Sequence, residues 1–156
     1  MADWGLQSAK QQTKIRPLYF NPPSPSRLPP YLMSLLVVGT VAIDNVQTPE
    51  TRRDNLLGGS ATHFSYAASF FTQVRLVSVV GDDWPDEHTS LLKSREIDIS
   101  GLEVVQGGKS FRWTGRYEPN MNDRESLETH VNVFADFDPT LSETNQRSKY
   151  VFLANG

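Results

Sequence analysis

The sequence predicts an α/β domain, and three observations lead to this fold class. A continuous apolar run at residues 35–38 and a mostly apolar segment at residues 74–80 each end at a glycine, which is typical of strands buried in a parallel sheet. A segment with helical spacing follows each run, so strands and helices alternate along the chain. With 156 residues, of which 38% are apolar, the chain is long enough for one domain with a core.

Residues 1–33 are predicted to form a Pro-rich, extended and poorly ordered leader. Six of the ten prolines lie between Pro17 and Pro30, and proline excludes both a helix and a central strand there. This leader is an organelle transit sequence, a proline-rich ligand for a partner domain, or an upstream extension of the reading frame. We favour the extension, with Met33 as the true start, because a strand begins directly after it.

The first predicted strand covers the apolar run at residues 35–38. Val41 and Ile43 extend its apolar pattern, and Asp44 follows directly after them. Residues 48–55 are polar and are predicted to form a loop.

A predicted helix covers residues 60–71, with Ser60 as its expected N-cap. A second buried strand follows at residues 74–80. The second helix, at residues 85–95, begins with a proline, which a first helical turn tolerates. The apolar face of the first helix is predicted to consist of Phe64, Ala67, Ala68 and Phe71.

An aromatic pattern follows the two helices. Phe111, Trp113 and Tyr117 alternate with polar and charged residues, which predicts a strand near residues 109–118 with one aromatic face. Residues 128–135 are predicted to form its antiparallel partner, because the sequence between them is rich in turn residues. The pair is either an edge hairpin or a flap that covers a ligand.

The last segments are a weak helical pattern at residues 140–148 and a short apolar strand at residues 149–153. Parallel strands need covering helices on both faces, and few helical segments remain after residue 134. We therefore expect this chain to be the N-terminal part of a longer fold, or a truncated product.

The order of these segments resembles the N-terminal half of the ribokinase-like (PfkB) carbohydrate kinases. The resemblance covers residues 34–156 and implies an incomplete three-layer α/β/α domain. The hairpin at residues 111–117 lies where that family has its small antiparallel β-lid. The other matching segments are LLVVGTVAID at 35–44, GGSATHFSYAASFF at 58–71, VRLVSVVGDD at 74–83 and IDISGLEVV at 97–105.

The resemblance implies a sugar-binding site around one carboxylate and two glycines. In the family an Asp after the first strand binds sugar hydroxyls, and Asp44 matches it; an ionised carboxylate accepts strong bonds from hydroxyls. Gly58 and Gly59 match the glycine pair that lets the backbone approach the sugar. The residues themselves also permit other readings: Asp44 as a cap or turn residue, and the glycines as a loop before a helix.

Two departures from ribokinase make ribose a doubtful substrate. Ala42 and His63 stand where asparagines are expected, and His63 either bonds a hydroxyl or packs within its helix. Trp113, with the other lid aromatics, stacks on an apolar sugar face or packs against a partner lid, since family members often dimerise through the lid. Arg112 and Arg116, on the opposite strand face, bind a substrate phosphate or form a solvated surface.

The activity implied by the resemblance is transfer of the γ-phosphoryl group of ATP, with Mg²⁺, to a hydroxyl of a sugar or nucleoside. In the family the Gly-Ala-Gly-Asp motif with its catalytic base, the ATP pocket and the Asn-x-x-Glu motif linked to magnesium lie in the C-terminal half, and no Gly-Ala-Gly-Asp motif occurs in this sequence. We therefore expect no catalytic residue here, no tight binding of ATP or Mg²⁺, and no ATP turnover by this chain alone. The alternative is a non-catalytic ribokinase-like module for binding or dimerisation.

Composition excludes several other classes. A net charge of −3 does not favour a nucleic-acid partner, and no apolar run is long enough for a membrane span. The absence of Cys excludes disulfides and thiolate metal sites and fits a reducing compartment, so we expect a cytoplasmic protein. The three histidines show no zinc spacing, and no P-loop or dinucleotide fingerprint occurs. Asp82 and Asp83 are read as partners of the second helix terminus rather than as a metal site.

Overall fold

The computed structural model describes residues 34–155; the predicted leader at 1–33 and Gly156 lie outside the described residues. Strands outnumber helices and form two separate four-stranded sheets. The elements are β1 (Ser34–Val38), β2 (Ala42–Gln47), β3 (Arg52–Gly58), α1 (Ser60–Ala68), β4 (Gln73–Gly81), α2 (Asp86–Ser94), β5 (Asp98–Val105), β6 (Phe111–Tyr117), β7 (Arg124–His130), a 3₁₀ helix (Asn132–Asp136), α3 (Glu143–Gln146) and β8 (Tyr150–Leu153).

The first sheet, called the central sheet, has the strand order β5-β4-β1-β8, and its strands are parallel. The apolar runs predicted as buried strands are β1 and β4. One face of this sheet carries the core, where Val37, Leu76 and Val80 pack against Ala61 of α1 and Leu92 of α2. Both helices therefore cover the same face, whereas a complete three-layer α/β/α domain has helices on both faces of its sheet.

The opposite face of the central sheet is covered by irregular chain. Val133 and Phe137, in and after the 3₁₀ helix, border Val79 and Val105. Asn145 of α3 is buried beside this face. Over the described residues the fold is thus a mixed α/β arrangement with helices on one face and short helical turns on the other.

The second sheet has the order β3-β2-β6-β7. Its central pair, β2 and β6, is parallel, with Asp44 opposite Trp113, while β3 and β7 are antiparallel to their neighbours. The predicted aromatic strand is therefore β6, but it pairs with β2 as well as with the hairpin partner.

The hairpin partner lies earlier than the predicted 128–135: β7 ends at His130, and a 3₁₀ helix follows. The apolar residues after His130, which predicted a strand, belong to this 3₁₀ helix instead. Asn132 adopts φ 50° and donates its side-chain amide to the Ser110 carbonyl oxygen at 2.8 Å. Phe134 then lies edge-on to Phe111, with ring centroids 6.1 Å apart. These contacts turn the chain back instead of extending it.

Two further expectations for this sheet need correction. The apolar pattern at Val41 and Ile43 does not extend β1; the chain breaks at residues 39–41 and enters the second sheet as β2. The polar segment 48–55 is a loop only in its first part, because β3 begins at Arg52. Edge strands pair through backbone groups and can carry polar side chains on both faces, so composition hides them.

Helix α1 is shorter than predicted, and of its four predicted apolar-face residues only Phe64 and Ala68 pack against the core. It ends at Ala68, its N-cap is Gly59 rather than Ser60, and Phe71 is 70% exposed. Small buried residues let the helix lie close to the sheet, and Phe64 packs sideways, stacked on Phe152 with centroids 3.6 Å apart. The buried residues of α1 are Ala61, Thr62 and Ser65.

None of the helices within residues 34–155 combines the length and the hydropathy of a membrane-spanning helix.

Candidate functional site

A cavity of about 430 Å³ lies between the second sheet and the N-terminal end of α1. The topology brings Asp44, Gly59, His63 and Trp113 together around it, although they come from four different segments. Four of the five residues predicted to bind substrate therefore line one cavity. The fifth, Gly58, lies directly beside the carboxylate of Asp44.

Among the described residues that line this cavity, Asp44 has the only carboxylate. It belongs to β2, is half-buried, and accepts no hydrogen bond from any residue of 34–155. Burial raises the pKa of Asp44 above its ordinary value, and the nearby charge of His63 opposes this effect. A partly desolvated carboxylate with free lone pairs is well suited to accept hydrogen bonds from ligand hydroxyls.

The glycine pair is required by the chain itself. A side chain on Gly58 would overlap the Asp44 carboxylate. Gly59 adopts φ 94°, and a Cβ there would overlap the Thr40 carbonyl oxygen and lie 2.8 Å from the Cα of Val41. The predicted role of these glycines was close approach to a ligand; the structure shows that they first make room for Asp44 and for the loop after β1.

The floor of the cavity contains polar groups that the sequence did not indicate. The Thr40 hydroxyl donates to the Asn155 carbonyl oxygen at 2.7 Å and lies 2.9 Å from the Ser60 hydroxyl oxygen. Ser60 also donates to the Asn155 carbonyl oxygen. His63 is exposed at the rim, one helical turn after Ser60. These hydroxyls tie the end of the described chain to the start of α1.

The wall opposite α1 is aromatic, and we call Phe111, Trp113 and Tyr117 the aromatic wall. These side chains share one face of β6, as their alternate spacing predicts. The indole Nε1 of Trp113 donates to the Ser126 hydroxyl oxygen at 2.9 Å, and a Cβ on Gly115 would overlap the Trp113 ring. The indole is therefore held flat along the strand.

Arg124, from β7, is a lining residue that the sequence reading missed. Its guanidinium carbon lies 5.6 Å from the centroid of the Trp113 ring, within the range of a cation–π contact. The segment around Arg124 is rich in turn residues, so the sequence predicts a turn there and does not indicate a residue that lines a cavity.

Arg112 and Arg116 point away from the cavity, since they alternate with the aromatic wall along β6. The Arg112 guanidinium lies 3.0 Å from the Asp83 carboxylate, and Arg116 lies 2.6 Å from Glu125. Both guanidinium groups thus already have carboxylate partners, which leaves the suggested phosphate site without support.

Asp82 and Asp83 do not cap α2, whose N-cap is Pro85 with no side-chain bond. Asp82 accepts from the Gly107 amide at 2.8 Å. Asp83 accepts from the amide and the hydroxyl of Ser110, at 2.7 and 2.8 Å, as well as from Arg112. These bonds join the end of β4 in the central sheet to the start of β6 in the second sheet.

The described residues do not fit a magnesium–ATP site. No group of three or more His, Asp or Glu side chains within residues 34–155 is arranged to hold a metal ion. Asp44 is surrounded by hydroxyl, imidazole and aromatic groups instead of further carboxylates. The geometry suits a hydroxyl-bearing organic ligand.

Comparison with known proteins shows kinases of sugars and nucleosides. No protein-family model matches the sequence. A cytidine kinase from Thermococcus kodakarensis is 35% identical over 77 residues, which are 49% of this chain and 27% of that protein. The chain thus spans about a quarter of the length of this curated relative.

Solved structures of ribokinase-family proteins share the fold. A ribokinase from Cryptococcus neoformans in complex with ADP has a TM-score of 0.56 at 20% identity, over 78% of this chain and 40% of that one. A nucleoside kinase from Methanocaldococcus jannaschii has a TM-score of 0.60 at 17% identity, over 78% and 44%. A Burkholderia thailandensis nucleoside kinase in complex with inosine has a TM-score of 0.59 at 18% identity, over 65% and 36%. The predicted resemblance to part of a ribokinase-like fold is confirmed.

Proposed function

We propose that this chain, which has part of the ribokinase-like fold, forms the acceptor-binding portion of an ATP-dependent kinase. The complete enzyme would transfer the γ-phosphoryl group of ATP to a hydroxyl of a sugar or nucleoside. The observation that carries the proposal is Asp44: a half-buried carboxylate without a hydrogen-bond donor, facing a cavity of ligand size.

Asp44 would bind the acceptor through two hydroxyl groups. A carboxylate has two oxygens and can accept from neighbouring hydroxyls of one ring. His63 at the rim is placed to donate to or accept from a further hydroxyl. Burial removes water from the Asp44 carboxylate. Hydroxyl groups of a bound ligand would restore the hydrogen bonds that this water made, so the cost of burial would be offset only in the complex.

The relatives support the reaction class. The curated relative is a cytidine kinase, and the structures with the same fold include a ribokinase and nucleoside kinases. Each is a phosphoryl-transfer enzyme for a hydroxyl-bearing acceptor. The relatives therefore support a kinase of the same class. The identity of the acceptor has to be inferred from the residues of this chain's own cavity.

The catalytic base and the groups that bind Mg²⁺ and ATP are proposed to lie outside this chain. Phosphoryl transfer depends on positioning, metal charge and a base. The sequence contains no Gly-Ala-Gly-Asp motif to provide the base, and residues 34–155 hold no group of three or more metal-ligating side chains. We expect the chain alone to bind acceptor without hydrolysing or transferring phosphate from ATP.

Calorimetric titration of the chain with nucleosides and monosaccharides tests the acceptor site, using Asp44→Asn. Hydrogen bonds to a charged group contribute about 1.5–3 kcal/mol each, so the variant should bind about 10- to 150-fold more weakly. Asp138→Asn is the matched control, because Asp138 is exposed and does not line this cavity. Equal binding by the wild type and Asp44→Asn would contradict the proposal.

ATP turnover is a separate measurement. Wild-type chain incubated with MgATP and the best acceptor should produce no ADP above background. ADP formation that disappears in Asp44→Asn would show that the chain carries a catalytic base after all.

The alternative, a non-catalytic module that dimerises through the hairpin, has one observation in its favour. Met121, Leu127 and Val131, in and next to β7, are 52%, 42% and 41% exposed. A contiguous patch of exposed apolar side chains is typical of an interaction surface, and we propose that these three residues contribute to one. Light scattering tests this function: a dimer that Leu127→Glu converts to a monomer supports it, and a wild-type monomer contradicts it.

A further inference from the structure

The register of the second sheet places Asp44 and Trp113 side by side. They are direct partners in the parallel pairing of β2 and β6, so their side chains share one face on neighbouring strands. Neighbouring strands lie about 4.8 Å apart. A ligand that contacts both side chains must therefore carry hydroxyls and a flat apolar face within one strand spacing of each other.

Trp113 is fixed before any ligand arrives. Its indole N–H is bound by Ser126 at 2.9 Å, and its ring lies over Gly115, where no side chain could fit. An aromatic ring that is already immobilised loses little rotamer entropy when a ligand stacks on it. The indole N–H is also occupied, so Trp113 offers a ligand its ring and no hydrogen bond.

The rest of the wall extends this apolar surface. Phe111 lies next to Ala42 in the same register, and Tyr117 lies farther along β6 on the same face. Arg124 places a cation 5.6 Å from the Trp113 ring centroid. The cavity volume of about 430 Å³ lies within the range of about 300–1,000 Å³ found for small-molecule sites.

We infer that the acceptor is a nucleoside whose base stacks on Trp113 while its ribose hydroxyls bind Asp44. This inference rests on the proposed function, because it assigns an acceptor to the same cavity. Two adjacent chemistries, a carboxylate and a fixed aromatic wall, match the two halves of a nucleoside. A monosaccharide would use the carboxylate and leave most of the wall uncovered.

Stacking of a base on an aromatic side chain gives a measurable advantage of about 5- to 150-fold in affinity. The advantage should therefore be visible between two ligands that share a ribose ring. Cytidine or adenosine carries a base on that ring, whereas methyl β-D-ribofuranoside carries only a methyl group. Both types present the same 2′ and 3′ hydroxyls to Asp44.

Calorimetric titration of the full chain with cytidine, adenosine and methyl β-D-ribofuranoside tests the inference. Trp113→Leu removes the ring, and Gly115→Ala displaces it while keeping the indole in the sequence. Phe71→Leu is the control, since Phe71 is 70% exposed and lies outside the cavity. We expect at least a fivefold preference for one nucleoside in the wild type and in Phe71→Leu, and no preference in Trp113→Leu or Gly115→Ala.

The outcomes separate this inference from the proposed function. Equal affinity of the wild type for nucleoside and methyl riboside overturns the nucleoside inference, while the hydroxyl site at Asp44 stands. A preference that survives in both Trp113→Leu and Gly115→Ala overturns the role of Trp113. If neither ligand type binds the wild type, the inference and the ribose-binding role of Asp44 both fail. Retained methyl riboside binding in the variants shows that the cavity is still folded.

Discussion

Replacing Asp83 by asparagine should destabilise the fold through the junction between the two sheets. Asp83 accepts two hydrogen bonds from Ser110 and an ion pair from Arg112 at 3.0 Å. Asparagine has the same shape and can keep an oxygen toward Ser110. Its amide would then face the Arg112 guanidinium, donor against donor, and the ion pair would be lost.

The magnitude follows from the burial of the pair. The side chain of Asp83 is 11% exposed and that of Arg112 is 31% exposed, so the pair is neither fully buried nor solvated. Breaking a buried pair costs about 3–5 kcal/mol, and an exposed pair contributes about 0–1 kcal/mol. We expect a loss of about 2 kcal/mol in the free energy of unfolding, or roughly 6–10 °C in Tm for a domain of this size.

An exposed ion pair of equal length is the internal control. Arg52 and Asp54 are also 3.0 Å apart, but their side chains are 60% and 48% exposed. Asp54→Asn should therefore change the unfolding free energy by less than about 0.5 kcal/mol. Urea unfolding of both variants, with the double variant Asp83→Asn/Arg112→Met, isolates the coupling energy. Equal effects of Asp83→Asn and Asp54→Asn, or a coupling energy near zero, would refute the reasoning.

The same pair has a pH signature. Burial alone would raise the pKa of Asp83, but the hydrogen bonds from Ser110 and Arg112, with the charge of Arg112, outweigh it and lower the pKa below the ordinary 3.8. The ionised form thus stabilises the fold above pH 3.8, and this contribution is lost as the pH falls through the lowered pKa. The difference in unfolding free energy between the wild type and Asp83→Asn should be full at pH 7. It should narrow below pH 3.8 and vanish only below the lowered pKa.

Three further predictions concern other groups. Burial raises the pKa of Asp44, so the free energy of unfolding falls as the pH rises above 3.8 and stays reduced at neutral pH. Asp44→Asn should therefore raise Tm at pH 7, and a lower Tm would contradict this. Burial lowers the pKa of His88 from 6.5, so acidification below that value should lower the Tm of the wild type more than that of His88→Gln, as melts at pH 7.5 and 5 would show. Gly59→Ala should unfold the protein or lower its unfolding free energy by several kcal/mol, because the added Cβ would overlap the backbone. Gly107 also has a positive φ but faces open space, so Gly107→Ala should lower the unfolding free energy by only about 1 kcal/mol. Equal Tm values for the two variants would contradict the clash.

The central sheet was predictable from the sequence because burial on both faces leaves an unbroken apolar run. The segment that became β1 shows such a run, and the segment that became β4 shows an apolar pattern interrupted only by Arg75 and Ser78. The second sheet was predictable only at β6, where one face is aromatic. All seven residues of β7 are exposed, so no hydrophobic pattern marks it. The apolar residues after His130 pack as a 3₁₀ helix against the central sheet, which depends on distant contacts that no local pattern records.

The candidate site residues came from the family resemblance, because each residue type alone permits more than one interpretation. Asp44, Gly59, His63 and Trp113 meet at the cavity although sequence spacing alone did not place them together. Arg124 was missed because its neighbours favour a turn. The hydroxyls of the cavity floor were missed because their partner is the Asn155 carbonyl oxygen, far along the chain.

Two carboxylates illustrate why structure is needed to separate a binding group from a framework group. Asp44 and Asp83 both follow a strand-like apolar segment, and without the family resemblance each can be interpreted as a cap or turn residue. One carboxylate oxygen of Asp83 accepts a hydrogen bond from Ser110, and the other forms an ion pair with Arg112. These contacts join the two sheets. Asp44 is half-buried without a donor among the described residues, and its raised pKa records the cost of that position. A fold that keeps such an unsatisfied charge loses stability unless a hydroxyl ligand completes it, and on this ground we propose Asp44, and not Asp83, as the ligand-binding carboxylate.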